Sequence, residues 1–267
     1  MTMSLPAGPK APGRGEAAVA VAHPDDESLW LSSVLAEAAR IVLCFGDPLG
    51  RPDKAAARRQ AVAALPLPGI AALDIPESGA GFAVDWARAR PTAAGIEIAD
   101  AEARRRYEAN YPVLVKALRP VLAGCRAVYT HNPWGEYGHA EHIQVHRAIA
   151  GLQAELGYEV WFSNYVGAAS WPLARRLGAA SCWDLKRETR PDAALARRLM
   201  RVYRRHGAWT MSRWHRWPAA ETLYGQAPPA ERTGDRRPLD GEWLLDVAGL
   251  RWWPPPWRAA QRRLDCA

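Results

Sequence analysis

The sequence predicts an α/β protein in which a mostly parallel sheet is covered on both faces by helices. Three observations predict it. A short apolar run, Ala17 to Ala22 (A-A-V-A-V-A), lies between Gly15 and Pro24 and suits a strand buried on both sides. Strand-like and helix-like segments then alternate in β-α-β-α order. The connections are long enough for helical crossovers, which join parallel rather than hairpin-paired strands.

Each element follows from local signals. Glu27 to Ala39 reads as a helix, and Ile41 to Phe45 as a second strand stopped by Gly46, Asp47 and Pro48. Asp53 can cap a helix running to about Leu65. Residues 98 to 120 form the longest helical stretch, with Tyr107, Tyr111, Leu114, Val115 and Leu118 on one apolar face. Pro120 closes it, and Pro112 is expected to bend or divide it. Arg126 to Thr130 is a strand, Ala140 to Leu156 a helix, and Glu159 to Tyr165 a late strand. A basic helix from Ala193 to Arg205 follows, then Pro- and Trp-rich segments including W-W-P-P-P-W at 252 to 257. The expected organisation is a disordered lead-in (1–15), a sheet domain (16–185) and a basic, Trp/Pro-rich C-terminal extension packed on the same core (186–267).

With 49% hydrophobic and 24% charged residues the chain is globular, and it has no apolar run long enough to span a bilayer. The first fifteen residues lack a signal-peptide core, and Cys44, Cys125, Cys182 and Cys266 are scattered. A reducing, cytoplasmic setting is expected, and any metal must be held by His and carboxylates. The net charge of +7 sits in the tail: from Lys186 onward there are 17 basic and 9 acidic residues. Such a region serves an anionic substrate, an anionic surface or solubility, and no specific nucleic-acid partner is expected. Ten of the thirteen tryptophans lie at or after Trp161; most are expected to dock the extension, a minority to stack on a sugar.

Two clusters carry chemistry. A-H-P-D-D-E (Ala22 to Glu27) lies directly at the carboxyl end of the first strand, where the crevice of an open parallel sheet takes its ligands. Capping of the next helix by Asp25 or Asp26 would account for the aspartates but not for His23 beside them. The second cluster, T-H-N-P-W-G-E-Y-G-H-A-E-H-I-Q-V-H (Thr130 to His146), again joins a strand to a helix and holds His131, His139, His142 and His146, four of the seven histidines. His142 and His146 share a helix face, and His139 lies in the turn before it. Catalytic zinc takes three His or carboxylate ligands and lowers the pKa of bound water to roughly 7. His23, Asp26 and one histidine of the second cluster meet that count, leaving Asp25 to take the water's proton and His139 to face the oxyanion.

A-H-P-D-D-E followed by G-H-A-E-H resembles the LmbE-like, or PIG-L, family of metal-dependent N-deacetylases, whose patterns are A-H-P-D-D-E and G-H-P-D-H; the resemblance spans roughly residues 17 to 165. It implies a Rossmann-like three-layer sandwich binding one zinc ion, or ferrous iron, through His23, Asp26 and His142. It also implies Asp25 as general base, His139 as oxyanion stabiliser, and Tyr137 as the tyrosine that polarises the scissile carbonyl. The implied reaction is hydrolysis of an N-acyl, chiefly N-acetyl, group on an amino sugar or sugar-bearing small molecule. The substrate candidates are an N-acetylglucosaminyl thiol precursor, a nucleotide- or lipid-linked sugar and a glycosylated natural product, with the Arg-rich tail favouring an anionic one. Ala140 and Glu141 replace the usual Pro and Asp, so the turn is expected to be slightly looser. Arg58, Arg59 and Gln60 lack the acidic member of the family's R-x-x-E-like pattern. The rival readings are a non-catalytic carbohydrate-binding protein on the same fold and a zinc hydrolase of another bond; a two-metal phosphoester site would need more carboxylates.

Overall fold

The computed structural model describes residues 16–81, 83–180, 183–232 and 245–247. The expected lead-in and the W-W-P-P-P-W segment lie outside the described residues. The first half of the chain runs β1 (Ala17–Val21), α1 (Asp26–Trp30), β2 (Ala38–Asp47), α2 (Pro52–Ala63), β3 (Ile70–Pro76), β4 (Pro91–Thr92), β5 (Gly95–Ile96) and α3 (Ala101–Leu122). The second half runs β6 (Ala127–Thr130), α4 (Ala140–Leu156), β7 (Glu159–Ser163), β8 (Tyr165–Val166), α5 (Trp171–Ala180), β9 (Leu185–Thr189), α6 (Ala193–Arg205), β10 (Glu221–Gln226) and β11 (Leu245–Asp246).

The main sheet has seven strands in the order β3-β2-β1-β6-β7-β10-β9. The pairs β3-β2, β2-β1, β1-β6 and β6-β7 are parallel, and β10 is antiparallel to both β7 and β9. All five residues of β1 are buried. Their alternation feeds two cores: Ala17, Val19 and Val21 meet Trp30, Ala61 and Leu199 from α1, α2 and α6. Ala18 and Ala20 meet Leu114, Leu118, Val145 and Ile149 from α3 and α4. A strand with helices on both faces needs apolar residues at every position, so the AAVAV run is continuous rather than alternating. The result is the three-layer, mostly parallel α/β sandwich. From β1 the chain moves outward through β2 and β3, then returns to add β6 and β7 on β1's other side, so the order reverses between the carboxyl ends of β1 and β6. That reversal opens the crevice of the sheet.

Several boundaries differ from the expectation. The helix expected over Glu27–Ala39 is only α1, followed by tight i to i+3 turns (Val34 N to Leu31 O, 3.1 Å; Glu37 N to Val34 O, 3.0 Å), and β2 begins at Ala38. Leu29, Trp30, Leu31, Val34 and Leu35 are all buried, so no single helical stripe exists, and two consecutive serines favour turns. Asp53 does not cap α2: Pro52 opens that helix, and Asp53 pairs with Arg51 (Nη2 to Oδ2, 3.1 Å). Pro112, on the exposed face, leaves α3 undivided, and Pro120 does not close it: the helix runs on to Leu122. The sheet continues past residue 185, since β9 and β10 extend it beyond β7. Cys44 and Cys125 are free and buried. Among the described residues no helix is long and apolar enough to cross a membrane.

Candidate active site

The turn after β1 is built from its own carboxylates. His23 N–H donates to Asp26 Oδ2 (2.7 Å), and Trp30 Nε1–H donates to Asp26 Oδ1 (3.0 Å). Asp25 stands at the position before α1 with φ 99°, a left-handed conformation, and its side chain makes no capping bond. Simple helix capping therefore accounts for neither aspartate.

The second cluster is organised by Glu136, itself at φ 46°. Its Oε1 accepts from Asn132 N–H (2.9 Å), and its own N–H donates to Asn132 Oδ1 (2.9 Å), closing the turn reciprocally. Its Oε2 accepts from both His131 Nδ1 (3.1 Å) and His142 Nδ1 (2.7 Å). Burial pushes this carboxyl up, but His131 and His142 outweigh it and hold it at about 2. Because His131 Nε2 also accepts from Ala22 N–H (2.8 Å), both nitrogens of that ring are committed and it pins β6 to the end of β1. His146 donates Nδ1–H to the His131 carbonyl (2.8 Å), and burial lowers its pKa to about 4. Of the four histidines in the cluster, His139 and His142 are left facing His23, with ring centroids 4.7 and 5.4 Å from it.

Ligand-type atoms converge on Asp26 Oδ2, with His23 Nδ1 at 3.3 Å and His142 Nε2 at 3.3 Å. His142 Nδ1 is spent on Glu136, so Nε2 presents its lone pair; it is buried and has no hydrogen-bond partner. His23 Nε2 donates to Glu141 Oε2 (2.9 Å), which turns the Nδ1 lone pair toward Asp26. Burial opposes a charge on His23, yet Asp26 and Glu141 raise its pKa to about 10. The cluster thus calls for positive charge beside Asp26, which a proton or a metal ion supplies. Bonds of 2.0–2.1 Å in a tetrahedron separate neighbouring ligand atoms by about 3.3–3.4 Å. Both contacts onto Asp26 Oδ2 have that spacing, and two imidazoles with a carboxylate are a donor set that suits zinc. Three sets have ligand atoms all within 4.8 Å of one another: His23, His139 and His142; Asp26, His131 and His142; and His23, Glu77 and Glu141. His23 and His142 thus each meet Asp26 without the three forming one such set, and His131 is already committed.

The remaining expected residues surround the same point. Asp25 Oδ2 accepts from Thr210 N–H and from Thr210 Oγ1–H, each at 2.7 Å, whereas Oδ1 is buried with no hydrogen-bond partner. Burial and then the neighbouring Asp26 raise this carboxyl to about 8, against the lowering effect of the Thr210 donors. His139 stacks on His142 (centroids 4.6 Å, 28°); burial and the adjacent imidazoles hold it well below the usual histidine range, so it is neutral. Gly81 lets the chain pass against this ring, since a Cβ there would lie 2.6 Å from His139 Nε2. The Tyr137 ring is 5.5 Å from that of His142, and burial with Asp26 nearby pushes its hydroxyl pKa up, so it stays a donor. His23, Asp25, Asp26, Tyr137 and His139 line one cleft of about 440 Å³ with Arg58, Glu77, Thr210 and Met211.

The two motif departures have structural answers. Ala140 does not loosen the turn: its N–H, which proline would lack, donates to the Gly81 carbonyl (3.0 Å). The longer Glu141 reaches His23 while its Oε1 accepts from Ser78 N–H and Oγ–H, each at 2.6 Å. Arg58 does reach the cleft, where it pairs with Glu77, while Arg59 and Gln60 are exposed. Sequence reasoning missed Glu77, Glu136, Thr210 and Met211. Glu136 lay inside the second cluster and was recoverable as an acidic partner for its histidines. Nothing local marked the other three.

Fold and site define a class: a Rossmann-like α/β sandwich with a His/Asp centre in the crevice where the strand order reverses. No family model matches the sequence, and no curated protein matches it. Solved structures do. The zinc-inhibited form of teicoplanin deacetylase Orf2 and a deacetylase–teicoplanin complex each align with 78% of this chain and 97% of theirs, at 12% identity and TM-score 0.50. The A40926 pseudoaglycone deacetylase Dbv21 aligns with 82% of this chain and all of its own, at 13% identity and TM-score 0.47. At these identities the likeness is one of fold, and it is the fold that the LmbE-like resemblance implies.

Proposed function

We infer that this protein is a metal-dependent N-deacylase that removes an acyl group, acetyl in the first instance, from an amino sugar or sugar-bearing small molecule. The observation that carries the reading is the meeting of His23 Nδ1 and His142 Nε2 on Asp26 Oδ2, at 3.3 Å each, in the cleft that also holds Asp25 and His139. His23, Asp26 and His142 would hold zinc or ferrous iron, which when bound supplies Lewis acidity to the acyl oxygen and acidifies water. Asp25 accepts a proton from the water whose oxygen attacks the acyl carbon. Neutral His139 and protonated Tyr137 donate hydrogen bonds to the oxyanion. As the C–N bond breaks, the amine takes the proton back. A neutral His139 favours Asp25 as the carrier in this single-base version. Acid and amine leave.

The neighbours' own substrates make a glycosylated natural product of the teicoplanin type one member of the substrate panel. Arg58 at the cleft and the basic C-terminal region support an anionic group on the substrate; equal rates on neutral and phosphorylated N-acetyl sugars would remove that preference. The test is amine release from N-acetylated sugars before and after chelation and zinc restoration. The reading expects activity lost with chelator and regained with zinc. Asp25→Ala is expected to lose a few orders of magnitude in turnover at full metal content, and His142→Ala to lose the metal. Neither metal nor turnover in the wild type would leave the carbohydrate-binding alternative.

A further inference from the structure

Helix α6 and the segment between it and β10 are tied to the first motif, to α1 and to α2. Lys54 Nζ donates to the Gly207 carbonyl (3.2 Å), Trp217 Nε1–H to the Ser28 carbonyl (2.7 Å), and Tyr203 Oη–H to Glu27 Oε1 (3.0 Å). Between these ties Thr210 aims two donors at one oxygen of Asp25, each at 2.7 Å. The first motif itself offers that carboxylate nothing: Asp25 makes no cap to α1, and its N–H goes to Glu27 Oε2 (3.2 Å). An aspartate without such a clamp turns about χ2 and presents either oxygen. With both Thr210 donors in place, Oδ2 is engaged and Oδ1 is buried without a partner in the residue that lines the cleft.

We propose that Thr210, 185 residues downstream of the first motif, is the positioning residue of the catalytic base, committing Asp25 Oδ2 and leaving Oδ1 as the oxygen that receives the proton from the attacking water. This rests on the deacylase reading and assigns an atom to its base. The water O–H bond breaks as its oxygen bonds to the acyl carbon, and Oδ1 holds the proton. That proton passes to the amine nitrogen as the C–N bond breaks, returning Asp25 to its carboxylate form. Thr210 supplies no proton to the reaction.

The test compares Thr210→Val, which keeps the shape and removes the hydroxyl, with Thr210→Ser, which keeps both donors. A hydrogen bond to a charged group makes a ten- to hundredfold effect the expected order. Thr210→Val is expected to lose about that much in kcat with KM and bound metal unchanged, and Thr210→Ser to return kcat to within about twofold of wild type. Wild-type kcat in Thr210→Val, or an equal loss in Thr210→Ser, overturns the proposal. A second readout needs no turnover: a double-mutant cycle with Asp25→Ala, which removes the acceptor, followed by urea unfolding of the full chain. Non-additive losses support the clamp, and additive losses overturn it. Should the wild type release amine from no substrate, the deacylase reading fails while the cycle still decides whether Thr210 holds Asp25.

Discussion

Glu136 accepts from two imidazoles on a single oxygen, and through His142 it sets which nitrogen faces Asp26. Carboxylates that hold a ligating histidine typically matter by 10–100-fold in metal affinity. Glu136→Gln, whose amide cannot accept from both rings and from Asn132 N–H at once, is expected to weaken zinc by about that factor in a competition titration with a chromophoric chelator. Wild-type affinity would show that Glu136 serves only the turn. Gly81→Ala tests a different neighbour. Its Cβ would fall 2.6 Å from His139 Nε2, so the ring must move, and kcat is expected to drop while metal content stays. A retained kcat would place the oxyanion donor elsewhere. At this scale the sequence was informative where chemistry is contiguous: His23, Asp25, Asp26, His139 and His142 sit in two short turns. It was silent on Thr210 and Glu77, whose roles arise from packing between distant segments and leave no local pattern.

Elements were legible where one periodicity dominated. The bounds of α4 and α6 agree with the expectation: α6 buries one face through Ala196, Leu199 and Tyr203, and α4, buried all round in its first two turns, shows a stripe in its later turns and a clear end at Gly157. The short α1 was not legible, since a segment buried on all sides gives no stripe to read, and β3 went unseen because most of its residues are only partly buried. Gly157, at φ 74°, ends α4 with its N–H on the Gln153 carbonyl, and nothing lies within 4 Å of a Cβ placed there. Gly157→Ala should therefore cost conformational strain alone, about 1 kcal/mol in urea unfolding, with kcat untouched. A larger loss would reveal a packing role that the open surroundings do not offer.

For the whole molecule, the reversal of strand order at β1 and β6 could be anticipated only in outline, because a sequence shows alternation but not which strand lies beside which. The antiparallel β10, between β7 and β9, carries a test of global stability. Its Glu221 is buried and accepts from Tyr165 Oη–H (2.5 Å); burial raises its pKa, against the lowering effect of Tyr165 and Arg187. A carboxyl raised in the folded state contributes stability below its unfolded pKa of about 4.3, and that contribution is lost as pH rises through the folded value. The Tm of Glu221→Gln relative to wild type is thus expected to climb over the range that begins at about pH 4.3. A constant difference across that range would mean that Glu221 is charged in the fold at little cost.

The contact between Asp25 and Thr210 also has a meaning in time. On the ribosome, Asp25 is made 185 residues before the residue that clamps it. At typical rates of synthesis that is a wait of roughly 10–40 s. From residue 163 onward the nascent chain already holds both motifs and β7, yet Asp25 is unclamped and β7 lacks its neighbour β10. Partial translation products that stop before Thr210 would carry both motifs without the contact that fixes Asp25.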